Sequence, residues 1–102
     1  MGYGRDIPPD TQNQIIEFIE NAYVGNAAQA QAADAIDREL EKVATNPRLG
    51  ASRPGGPFES RRIYRFGLNI GDEVREVEVA YKISEKSKVV VFSGFHEVKS
   101  PL

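Results

Sequence analysis

The chain has 102 residues, no cysteine, a single histidine and a formal charge of −2, with 40% hydrophobic and 27% charged side chains. A core of this size buries roughly 60–70% of the unfolded chain's surface, so one domain over residues 1–102 is expected. The lack of cysteine excludes disulfides and thiolate metal sites, no apolar run approaches the ~20 residues of a membrane span, and the N-terminus lacks the apolar stretch of a secretory signal. A cytoplasmic protein without a membrane partner is the expectation.

The first residues, Met1 to Pro9, read as an extended arm and a poor β-strand. Pro8-Pro9 cannot continue a helix, and Asp10 offers a carboxylate to the free amides of a following turn, so a helix is predicted to start there and to end at Gly25. Ile15, Ile16, Phe18, Ile19, Ala22 and Tyr23 fall on one broad face. Asn26 followed by Gln29 has the residue types of a capping box and predicts a second helix beginning at once. That helix offers Ala32, Ala33, Ile36, Leu40 and Val43 to the core, while Asp34 and Arg38 are spaced to pair on its outer side. Asn46-Pro47 stops it.

Residues 47–58 form a long loop rich in glycine, proline and arginine that matches no phosphate-loop pattern. A run follows in which Tyr64, Phe66 and Leu68 alternate with Arg61, Ile63 and Arg65, so the aromatics face the core, two arginines face outward and Arg62 shares the aromatic side. In the next run Arg75, Val77, Val79, Tyr81 and Ile83 share one face, with Glu76, Glu78 and Lys82 on the other. Val89 to Phe92 is apolar on both faces and reads as an interior strand, broken by Ser93-Gly94 before Phe95-His96. Short connections argue for an α+β fold: an N-terminal antiparallel helical hairpin packed on a three- to four-stranded antiparallel β-meander.

Charge is unevenly placed. Residues 1–46 carry a net −5 and residues 47–102 a net +3, with Arg48, Arg53, Arg61, Arg62 and Arg65 concentrated in one stretch against Glu59. Such a patch can meet phosphate, or its arginines can pair with the acidic helices.

The order of elements, the strand Arg61-Arg62-Ile63-Tyr64-Arg65, the strand ending Val79-Ala80-Tyr81-Lys82-Ile83 and the valine-rich last strand resemble the RelE/ParE superfamily of bacterial toxins over about residues 10–96. The resemblance implies a toxin or toxin homologue neutralised by a small peptide antitoxin, with RNA, the ribosome or gyrase as target. Two positions depart from the family's habit: an arginine often stands where this chain has Glu78, and an arginine followed by a C-terminal tyrosine often stands where it has Phe95-His96-Glu97. Some endonuclease members place a histidine near that end.

Cleaving RNA through its 2′-hydroxyl needs a base, an acid and cations for the charge growing on phosphorus. His96 is the candidate acid, Glu59 or Glu78 the candidate base, and Arg62 or Arg65 the bidentate phosphate ligand. The expected catalytic set is His96, Glu59 and Arg65, and the expected phosphate contacts are Arg53, Arg61, Arg62 and Arg65. Alternation along a strand turns Arg62 and Arg65 to opposite faces, and Glu78 is placed to pair across strands with Arg65. No cofactor or metal is implied, because one histidine and scattered carboxylates give no ligand spacing. A non-enzymatic protein- or nucleic-acid-binding module on the same scaffold is the alternative.

Overall fold

Two helices lie on one face of a five-stranded sheet in the computed structural model, which describes residues 2–52 and 61–98. In chain order the elements are β1 (Gly4–Asp6), α1 (Pro9–Ala22), α2 (Asn26–Thr45), β2 (Ala51–Ser52), β3 (Arg61–Ile70), β4 (Glu73–Ser84) and β5 (Val89–Glu97). The sheet order is β1-β5-β4-β3-β2, antiparallel except for the parallel pair β1 and β5.

Helix α1 begins one residue before the expected Asp10. Pro9 occupies the first turn, where its fixed φ suits a helix and its missing amide costs no hydrogen bond, so Pro8 is the N-cap and Asp10 lies inside that turn. The expected capping box on α2 does not form. Gly25, at φ 93°, is the N-cap, and Gln29 instead donates its side-chain amide to the Tyr23 carbonyl at 3.0 Å, latching the turn between the helices. The expected ion pair of Asp34 with Arg38 is likewise replaced: Arg38 Nε donates to the Asp34 backbone carbonyl at 3.4 Å.

The helices and the inner face of the sheet enclose one core. Ala32, Ile36, Leu40 and Val43 of α2 and Ile19 of α1 meet Phe66, Leu68, Val77, Val79, Tyr81, Val90, Phe92 and Phe95. Ile16 is half exposed and Ala33 is exposed, so the apolar faces of both helices are narrower than their sequences suggest. Thr11 is also buried, and its hydroxyl donates to the Phe92 carbonyl at 2.8 Å.

Residues Gly4 to Asp6, expected as part of an extended arm, instead form a strand. Its hold is tertiary: the Tyr3 amide donates to the Ala44 carbonyl at 2.8 Å, the Tyr3 hydroxyl to Glu85 at 2.9 Å, and the Arg5 guanidinium meets Asp37 at 2.9 Å and Glu41 at 3.4 Å. With β1 on its outer side, β5 is interior where it is apolar on both faces. The expected break at Ser93-Gly94 is a bulge in a continuous strand. Tyr81 pairs with Phe92 and Ala80 with Gly94, which leaves Ser93 as the extra residue and turns both Phe92 and Phe95 to the core.

Between α2 and β3 the chain is pinned to the core. The fully buried Tyr81 donates its hydroxyl to the Pro47 carbonyl at 2.7 Å and accepts from the Gly50 amide at 2.9 Å, while Arg62 donates to the Gly50 carbonyl at 2.7 Å. No helix among the described residues is long and apolar enough to cross a membrane.

Candidate functional site

The face of the sheet turned away from the helices holds most of the described candidate side chains. On β4 the buried Val77, Val79 and Tyr81 point to the core, so Glu76, Glu78, Ala80 and Lys82 must point the other way. Register then selects their neighbours. Glu78 stands opposite Arg65 on β3 and opposite His96 on β5, placing the three side chains in one row across three adjacent strands.

The row is joined by hydrogen bonds. Arg65 donates from Nη2 and Nε to Oε2 of Glu78 at 2.9 and 3.3 Å, and Nε2 of His96 lies 3.0 Å from Oε1. Each carboxylate oxygen thus serves one partner, and the carboxylate is nearly enclosed: Glu78 is 8% exposed although it belongs to the open face. The side chains of Arg65 and His96 remain 54% and 63% exposed. The buried carboxylate thus fixes an exposed guanidinium and an exposed imidazole, and Nη1 of Arg65 lies 3.7 Å from Oε1 of the exposed Glu76. With Nε2–H directed at Glu78, the imidazole presents Nδ1, which has no protein partner among the described residues.

Of the sequence candidates, His96, Arg61 and Arg65 share this face. Arg62 does not: it lies on the helix side, where its Nη1 donates to the Gly50 carbonyl at 2.7 Å. Glu59 and Arg53 lie outside the described residues. Glu78, which the sequence offered as an alternative base, has both oxygens occupied and fits an orienting role. Sequence reasoning passed over Lys82, the direct cross-strand partner of Arg61, although strand alternation had already set it on the outer face.

A second ionic cluster sits at the end of the sheet near the helix turn. Arg75 meets Glu73 at 3.0 Å and Glu97 at 3.1 Å and covers the Tyr23 ring at 5.8 Å. Burial disfavours the Arg75 charge, but the two carboxylates more than offset it and raise its pKa. Among the described residues no group of three or more histidine, cysteine, aspartate or glutamate side chains is placed to hold a metal ion.

This order of elements, with helices on one face of a mostly antiparallel sheet, defines a protein of the RelE-like toxin fold. Solved structures that share this fold include the following three. The toxin–antitoxin complex RelBE2 from Mycobacterium tuberculosis superposes with a TM-score of 0.67 at 11% identity, covering 98% of this chain and 95% of that one. The E. coli RelE toxin in a double arginine-to-alanine mutant, free state, gives 0.56 at 17% identity over 93% of this chain and 82% of its own. The isolated E. coli RelE toxin gives 0.55 at 16%, over 97% and 87%. No family model matches the chain, and no curated protein sequence matches it.

Proposed function

We propose that this chain is a toxin of a toxin–antitoxin pair that cleaves RNA on the open face of its sheet. The observation that carries the reading is the row Arg65, Glu78, His96, in which a buried carboxylate orients an exposed imidazole beside an exposed guanidinium. Arg65 holds the scissile phosphate through the part of its guanidinium that faces solvent. The 2′-oxygen attacks phosphorus, and a base takes its proton; Glu59 is the proposed base. As the bond from phosphorus to the 5′-oxygen breaks, protonated His96 gives its Nδ1 proton to that oxygen, leaving a 2′,3′-cyclic phosphate and a 5′-hydroxyl. Glu78 keeps Nε2–H engaged throughout and so selects which nitrogen delivers the proton.

A peptide antitoxin is the proposed partner, supported by the likeness to a toxin that is itself held in a toxin–antitoxin complex. The test is to express the chain alone in a bacterium, beside His96→Ala, and follow growth and transcript integrity. Arrested growth with cleaved transcripts, both relieved by the substitution, is expected. Normal growth with intact transcripts would sink the reading.

Glu78's hold on both Arg65 and His96 favours a second reading, a partner-binding module without enzymatic activity. Purified chain that captures a peptide partner and leaves RNA intact would support it.

A further inference from the structure

Two like charges face each other at the other end of the open face. Arg61 of β3 and Lys82 of β4 are direct cross-strand partners, both exposed, and neither forms an ion pair among the described residues. Like charges directly opposite on a sheet are destabilising, so the bare protein carries a cost that an anion lying between them would relieve.

The pair does not belong to the row already described. Lys82 and Glu78 are four residues apart on β4, about 13 Å along the strand, farther than one phosphate group can reach. Between the rows stand Ile63 and Ala80, cross-strand partners and half-buried, so the intervening floor is uncharged. Glu76 and Glu78 both lie on the far side of that floor. The face therefore offers the like-charged pair Arg61 and Lys82 and, beyond an apolar step, Arg65 bridged to Glu76 and Glu78.

We propose that Arg61 and Lys82 form a second phosphate subsite, which holds a single-stranded RNA more than one nucleotide away from the phosphate at Arg65, the sugar or base between them resting on Ile63 and Ala80. The inference rests on the RNA reading above. It assigns Lys82 to substrate binding and makes the strand cross the sheet along the direction of β4. Flexible single strands suit such a surface, since cationic tracks and apolar platforms bind them with little regard for base identity.

The probe is fluorescein-labelled octauridylate, titrated by anisotropy at several salt concentrations against His96→Ala protein, so that the RNA stays intact. Affinity is expected to fall with salt, and adding Lys82→Ala or Arg61→Ala should each flatten the log–log salt slope by roughly 0.7, the share of one neutralised phosphate on a single strand. Lys82→Arg should keep the slope. Lys82→Glu supplies the control for folding: it creates an opposite-charge pair with Arg61, so the thermal midpoint should hold or rise while octauridylate affinity drops. A lower midpoint in Lys82→Glu, or slopes unchanged in both alanine variants while binding persists, would overturn the subsite and leave the proposed function standing. If neither wild type nor His96→Ala binds octauridylate at low salt, the subsite and the RNA reading fall together.

Discussion

The hydroxyl of Tyr81 and the amide of Gly50 are 2.9 Å apart, and with the bonds from Tyr81 to the Pro47 carbonyl and from Arg62 to the Gly50 carbonyl this contact joins the sheet to the segment leaving α2. No room is left for a side chain: a Cβ on Gly50 would stand 2.6 Å from the Tyr81 hydroxyl and 2.7 Å from the Ile63 carbonyl. Tyr81→Phe strips the Gly50 amide and the Pro47 carbonyl of their buried partner, a loss of about 1–3 kcal/mol. Gly50→Ala should cost a comparable amount by overpacking, about 1–3 kcal/mol. Both are read from denaturation midpoints, and wild-type stability in either variant would show that the contact contributes little.

Protection of β5 beyond its pairing with β1 comes from side chains of α1. Thr11 donates to the Phe92 carbonyl at 2.8 Å, and Gln14 accepts from the Phe95 amide at 2.9 Å. Thr11→Val nearly preserves volume but leaves that carbonyl buried and unpaired, so a loss of about 1–3 kcal/mol is expected in urea unfolding. Gln14→Ala should instead be felt as association, because it bares a strand edge. Light scattering on concentrated protein checks this, with Glu17→Ala as the surface control.

Tyr64 supplies an alkaline signature. Burial, reinforced by the 2.7 Å hydrogen bond its hydroxyl donates to Glu39, pushes its pKa up to about 12 from the usual 10.0. The folded state keeps the phenol proton more tightly than the unfolded chain does, so the contribution to stability is complete below about pH 10 and drains away as pH rises toward about 12. Tyr64→Phe should flatten that part of the stability profile. Equal slopes in the two proteins between pH 10 and 12 would contradict the assignment.

Glu39 has the opposite sign. Burial alone would raise its pKa, but hydrogen bonds from Lys42 and Tyr64 outweigh burial and lower it. Its contribution is present above the unfolded value near 4.5 and is lost as pH falls through the lowered folded value. Glu39→Gln should therefore make stability less sensitive to acid, as followed by thermal midpoints from neutral pH downward.

Coupling between Glu78 and His96 separates orientation from independent action. If His96 delivers the proton, His96→Ala should lower kcat by roughly 10²–10⁴ while KM changes little. Glu78→Ala should lower it less, and in the double variant the two losses should fail to add, with an interaction of about 0.5–3 kcal/mol. Strict additivity would separate the two residues' roles.

Much of this architecture was legible because its cause is local. The spacing of Ile19, Ile36, Leu40 and Val43 places an apolar stripe on each helix, Pro8-Pro9 and Asn46-Pro47 bound the helical region, and alternation from Arg61 to Leu68 and from Arg75 to Ile83 settles which side chains share a face. The separation of Arg62 from Arg65 follows from the same alternation, which also sets Arg65 and Glu78 on outward faces. Capping was less legible: a proline at the first turn and a glycine at positive φ set the helix starts, although Asp10 and Asn26 have the favoured residue types.

Long-range partners settled the rest. Gly4 to Asp6 has no strand signal of its own and pairs with β5 because Tyr3 and Arg5 find Ala44, Asp37 and Glu41. Ser93-Gly94 carries the signal of a break, yet the strand continues because a bulge there lets Phe92 and Phe95 both reach the core. The candidate site divides the same way. Strand periodicity puts Glu78 on the outer face, but its enclosure between Arg65 and His96 depends on the register of three strands, and register is a property of the packed sheet rather than of any one strand.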